Sequence, residues 1–282
     1  MRPFWTLSRE RVISLPSRMI AAIAAGGVAV LTLPPFSILL LVPVAYATLL
    51  VLLRHLPVPK AAFVGWAFGL GQFGFGLSWI AESFYVDAER FGAMAIPAVA
   101  GLSAGLAMFP AAAAALFAGV ARRRAIGGAT ACLVFATCWT AAEWLRGHVL
   151  TGFPWNLAGY ALVDYAALRQ PAAWVGSYGL SFLILFVGTL PAPALLTEVR
   201  PRWSIPLLGV GIVVATGSAG VARLQLEPPG GRRRSRAIST SRLVPALSTS
   251  CSGRKPPSRA FSMRIPGHGR ASLPPLRKRA CF

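Results

Sequence analysis

Seven stretches of the chain are dominated by apolar residues, with polar positions gathered between them. They cover about 18–33, 36–53, 61–80, 93–121, 126–146, 173–197 and 204–222. Most approach the roughly 20 residues needed to cross a bilayer core at 1.5 Å of rise per residue. The pattern predicts an all-α membrane protein, a bundle of about seven transmembrane helices. The segment at 93–121 holds Pro97 and Pro110 and is expected to tilt or kink rather than split in two. The first segment follows basic residues, as the core of a signal peptide does. Another apolar run follows at once, however, so it is read as a retained span. There is no internal repeat.

Composition agrees with this pattern. The 282 residues are 55% hydrophobic and 13% charged, with a mean hydropathy of +0.62. A soluble domain has about a quarter of its residues charged, so much of this surface is expected to face lipid. The net charge of +20 is unevenly placed. Residues 1–222 carry 14 Lys and Arg against 7 Asp and Glu, whereas 223–282 carry 14 against Glu227 alone. Two parts follow: a membrane domain at 1–222 and a basic tail at 223–282, which is expected to be disordered.

Loop charges set an orientation. With the N-terminus in the cytoplasm, Arg2, Arg9, Arg11, Arg18, Arg54, Lys60, Arg122, Arg123, Arg124, Arg200 and Arg202 all fall inside. Only Arg90, Arg146 and Arg169 fall outside, where Glu82, Asp87 and Glu89 also lie. The positive-inside rule favours this arrangement over its inverse. Seven spans then bring the tail out on the far face, the periplasm of a two-membrane bacterium.

Cys132 and Cys138 lie in an apolar run and Cys251 and Cys281 in the tail. None shows C-x-x-C spacing or a nearby histidine cluster, so no metal is expected, and they read as small buried hydrophobes and tail residues. In "GWAFGLGQFGFG", Gly65 and Gly69 form a G-x-x-x-G pair. Small residues let helices approach closely in lipid, and packing within the chain is expected ahead of a dimer contact. The glycines lie inside a span with no strand before them, so they are not a nucleotide fingerprint, and no cofactor is expected.

The segment "EWLRGHVLTGFPWNLAGY", residues 143–160, lies between two apolar runs, yet it is aromatic rather than polar. Glu143 and Arg146 are three apart and share a helix face. Arg146 is expected to lay its stem along lipid with its head in the interface. Trp139, Trp144 and Trp155 suit an aromatic belt. Pro154 biases Phe153 to an extended conformation, so the helix ends before it. "WNLAGYALVDYAAL" then reads as an amphipathic piece lying at the interface, with Phe153, Trp155 and Tyr160 in contact with lipid or substrate. Glu143 and Arg146 read either as a structural pair or as holders of a lipid or lipoprotein head group.

This run, with "GFGLSWIAESF" and "WVGSYGLSFLI", resembles the membrane domain of the apolipoprotein N-acyltransferase family over roughly residues 12–229. The resemblance implies an enzyme of the bacterial inner membrane. Its substrates are membrane phospholipid and the free amine of a diacylglyceryl lipoprotein. It further implies a nitrilase-like domain after the seventh span, with a Glu base, a Lys for the oxyanion and a Cys that becomes a thioester, then an eighth span. The chain departs from the pattern after "LQLEPPG": no alternating strands follow, and Cys251 and Cys281 lack Tyr-Glu neighbours. No catalytic residue is carried over. The tail reads as a truncated or frame-shifted continuation, and the chain is expected to be inactive alone. Two other readings are a lipid-binding scaffold using its basic tail and a small transporter. The runs "GRRRSR" and "LRKR" lie on the side away from nucleic acid in this topology, so no nucleic-acid partner is expected.

Overall fold

The computed structural model describes residues 13–124, 126–149, 151–196 and 204–226. Among them there is no strand. The helices are α1 (Leu15–Val30), α2 (Leu41–Leu52), α3 (Val58–Gly76), α4 (Ala88–Phe91), α5 (Ala95–Leu106), α6 (Met108–Arg124), α7 (Gly128–His148), α8 (Ala172–Thr189), α9 (Pro191–Leu196) and α10 (Ser204–Leu226). Short 3₁₀ turns cover Ser78–Phe84, Gly92–Met94 and Ala158–Leu162. Residues 227–282, and with them most of the basic tail, Cys251 and Cys281, lie outside the described residues.

Three helical runs are long and apolar enough to cross a membrane: Ala88–Arg124, Ala172–Ala194 and Ser204–Leu226. The first runs through α4, α5 and α6 with a break at Ala107. Pro110 explains the break, because its nitrogen cannot donate to Leu106 and its ring crowds that carbonyl. The long segment stays one run, broken at Ala107 rather than split into two spans. α1 and α2 are apolar but shorter, with 16 and 12 residues, or about 24 and 18 Å. The predicted second segment loses its first turn to a bend around Pro34, Pro35 and Ser37, where Ser37 has φ 51°. α10 keeps most of its apolar side chains exposed, among them Leu207, Val210 and Val214. A helix so little covered by its own protein has the surface of one bathed in lipid.

Glycine decides how closely the helices pack. A Cβ at Gly71 would collide with the Ile23 carbonyl oxygen, and one at Gly26 with the Phe68 carbonyl oxygen. α1 and α3 thus meet backbone to backbone. On another face of α3, a Cβ at Gly65 would lie 2.5 Å from the Pro110 carbonyl oxygen, and one at Gly69 2.8 Å from the Ala107 Cα. The G-x-x-x-G pair therefore seats α6 within the same chain, and small residues replace the hydrophobic drive that lipid removes.

Aromatic rings fill the space where α2, α3, α6 and α7 converge. Trp139 meets Tyr46 at 5.5 Å and Phe68 at 5.3 Å edge to face, and Phe135 at 5.6 Å. Phe117 joins through Phe135 at 5.7 Å. Edge-to-face pairs at such spacings are preferred over stacked sandwiches. Trp139 is only 2% exposed, so it belongs to the core and not to an interfacial belt. Trp139 lies well inside α7, which continues nine residues further, to His148.

Contacts define two ends of the bundle. At one, Arg18 Nη1 donates to the carbonyls of Leu52 at 2.5 Å and Arg54 at 3.1 Å. The exposed Lys60 and Arg122–Arg124 belong to this end, since α3 begins there and α6 ends there. At the other end the 149–171 loop meets the end of α3 and the α1–α2 connection. Gln72 Nε2 donates to the Asn156 carbonyl at 3.2 Å, and the Tyr165 hydroxyl to the Ser37 carbonyl at 2.6 Å. The Ser37 hydroxyl bonds the Asp164 carboxylate.

Candidate functional site

The 149–171 loop is held by its backbone, and the groups that hold it come from inside the bundle. α7 delivers two of them. Arg146 Nη1 donates to the Phe153 carbonyl at 2.7 Å and to the Trp155 carbonyl at 2.6 Å. Its guanidinium lies 5.0 Å from the centre of the Phe73 ring on α3, within cation–π range. Glu143 Oε1 accepts the Ala158 N–H at 2.9 Å and the Trp139 indole N–H at 3.3 Å. Gln72, from α3, takes the carbonyl between those two contacts, that of Asn156. Four loop groups between 153 and 158 are thus satisfied by buried side chains, as an apolar surrounding demands of backbone that is not helical.

The turn leading into this segment fits the same plan. α7 ends at His148, and the Phe153 N–H reaches back to the Arg146 carbonyl at 3.0 Å. Gly152 has φ +74°, and a Cβ there would sit 2.5 Å from the Gly147 carbonyl oxygen. Only glycine accepts both the left-handed backbone and the close approach. Beyond it, the 3₁₀ turn Ala158–Leu162 packs on α8. The Gly159 N–H donates to the Ser181 hydroxyl at 2.9 Å, and that serine also stands beside the Glu143 carboxylate.

All five residues singled out from the sequence meet in this cluster, but two expectations about them change. Arg146 is 3% exposed and Glu143 4%. Arg146 does not snorkel to the interface: its head turns inward, because the Phe153 and Trp155 carbonyls lie there and need a donor. Nor does the stretch after Trp155 lie flat on lipid. Leu157, Ala158, Ala161 and Leu162 are buried against the bundle. That segment is apolar because it is core. Phe153 is half-buried beside Phe73, Leu77 and Leu106. Tyr160 is half-buried, and this burial pushes its phenol pKa up. Trp155 is 50% exposed and Trp144 51%, so these two rings keep an outward face.

Three contributors escaped the sequence reading: Gln72, Asn156 and Ser181. Gln72 carried a usable signal, since an amide in the middle of a glycine-rich apolar span needs a partner. Cys132 and Cys138 are both buried, which removes them as nucleophiles. Among the described residues no three His, Cys, Asp or Glu side chains gather as a metal site.

Among the described residues, an all-helical bundle with apolar outer helices, and with buried charges aimed at a backbone loop, has the make-up of a membrane protein. Residues 25–190 match the family model described as the apolipoprotein N-acyltransferase N-terminal domain, and the chain belongs to that family. The apolipoprotein N-acyltransferase of Caulobacter vibrioides is 40% identical over 245 residues, covering 84% of this chain and 42% of the relative. That of Rhodopseudomonas palustris is 37% identical over 224 residues, covering 75% and 40%. That of Brucella melitensis is 44% identical over 193 residues, covering 64% and 35%. The chain therefore spans about two fifths of the length of the curated relatives it matches.

Proposed function

We propose that this chain is the membrane part of an apolipoprotein N-acyltransferase in the bacterial inner membrane. In this reading it holds phospholipid and a diacylglyceryl lipoprotein while the acyl chain passes to the lipoprotein amine. The observation that carries the reading is the clamp on residues 153–158, which anchors a loop by buried groups and leaves Trp155 facing outward. A rigid, half-exposed aromatic ring at the level where helices end suits the head-group region. The acyl transfer itself needs an accessible nucleophile. Cys132 and Cys138 are buried, so the described residues offer no accessible thiol for it, and we assign that step to another part of the full-length enzyme.

The same proposal takes residues 1–222 as the membrane domain of about seven spans, its N-terminus in the cytoplasm, and residues 223–282 as a separate basic segment. The gathering of Arg18, Lys60 and Arg122–Arg124 at one end of the bundle supports that orientation. So does the position of Glu82, Asp87 and Glu89 between α3 and α5. Single cysteines in a background lacking the four native ones test it. Ser83→Cys and Thr151→Cys label with an impermeant thiol reagent applied to the periplasmic side, and Arg123→Cys stays silent until the membrane is opened. Labelling of Arg123→Cys in sealed cells, with silence at Thr151→Cys, contradicts the orientation.

A further inference from the structure

A small polar cavity lies between α3, α6 and α7, on the inner side of the loop clamp. Its walls are Gln72, Phe109, Pro110, Trp139, Ala142, Glu143 and Arg146, and it measures about 10 Å³. That is close to the least space that admits the centre of one water molecule. Pro110, which lines the cavity, lies just after the helix break at Ala107.

The walls carry an unmet acceptor and a charged donor side by side. Glu143 Oε1 already has two donors, whereas Oε2 is buried and receives no hydrogen bond from the protein, although the Ser181 hydroxyl stands beside the carboxylate. A carboxylate oxygen left this way in an apolar surrounding bears the full desolvation penalty of a charged group. Arg146 has five N–H donors, and the bonds it makes to the loop carbonyls use Nη1 alone. An occupant between these two groups must donate to the carboxylate and accept from the guanidinium. A cation meets Arg146 with the wrong sign, and an anion meets Glu143 with the wrong sign. Anything larger than water exceeds the space.

We propose that this cavity is a binding site for one ordered water, which bridges Glu143 Oε2 and Arg146. The two charges are then joined through a solvent molecule rather than by direct contact. Such a bridge is enthalpically nearly as good as a direct hydrogen bond. It lets Arg146 keep its Nη1 on the loop carbonyls and Glu143 keep its Oε1 on the Ala158 N–H. The proposal concerns this cavity alone, and its outcome is independent of the function proposed for the whole chain.

Radiolytic footprinting of the purified protein in lipid nanodiscs tests it, because a short X-ray pulse oxidises side chains beside bound water even where bulk solvent is excluded. Trp139, which is 2% exposed and lines the cavity, becomes oxidised several-fold more than Phe135 and Phe117, which are as buried but do not line it. In Ala142→Leu, which fills the cavity with methyl groups, Trp139 oxidation falls several-fold while the phenylalanines do not change. Equal, low oxidation of all three rings in the unmodified protein overturns the proposal, as does Trp139 oxidation unchanged in Ala142→Leu. If Ala142→Leu unfolds, all three rings rise together, and the comparison within the unmodified protein decides.

Discussion

Replacing Arg146 by alanine lowers the free energy of unfolding by about 3–5 kcal/mol, the range for removing one partner from a buried charged pair. Two losses combine. The carbonyls of Phe153 and Trp155 lose their donor in an apolar setting, and Glu143 is left without a counter-charge at 4% exposure. The control is Arg169→Ala. Arg169 also donates to a carbonyl, that of Val163 at 2.8 Å, but it is exposed. Water replaces that bond, so the change stays within about 1 kcal/mol. Denaturant titration of both variants in the same detergent measures the difference. Similar small losses for both would mean that the Arg146 bonds are not what holds the loop.

The second large effect is expected at the α1–α3 contact. Gly71→Ala destabilises by about 1–3 kcal/mol, the usual cost of forcing atoms into a packed core, and Gly71→Leu prevents folding altogether. The reason is that the added Cβ meets the Ile23 main-chain carbonyl, which cannot rotate away as a side chain does. Gly74 lies one turn further along α3 and has nothing within 4 Å of its would-be Cβ. Gly74→Ala is therefore neutral or stabilises by up to about 1 kcal/mol through helix propensity. Thermal unfolding of the pair reads the contrast, and equal shifts at both positions would count against backbone contact between α1 and α3.

The helical character of the body was legible from apolar runs alone, because a run of that length has few other ways to satisfy its backbone. Helix ends were less legible. The second segment shrank to Leu41–Leu52 because its first residues form a bend, and α7 ran two residues past the expected end at 146, to His148. Hydropathy marks where charges begin, and a charge inside a helix looks the same as one beyond its end. This also explains Arg146. Sequence spacing put Glu143 and Arg146 on one helix face, correctly, but could not say whether that face met lipid or protein. The deciding groups are loop carbonyls seven and nine residues away, which leave no mark on side-chain identity. Gly65 and Gly69 were readable because a requirement for small size is written in the residue itself. Ser181 was not, since one serine in an apolar helix has many possible partners.

The loop clamped from within leaves Trp155 half exposed while its neighbour Leu157 is fully buried, and the proposed function turns that exposed ring toward lipid. Site-specific photocrosslinking in native membranes tests this most directly, with a benzoyl-phenylalanine placed in turn at Trp155 and at Leu157. On illumination the Trp155 variant gains the mass of a phospholipid, and the Leu157 variant crosslinks only within its own chain. Lipid adducts at Leu157 with none at Trp155 would contradict both the clamp and the lipid-facing role proposed for the loop.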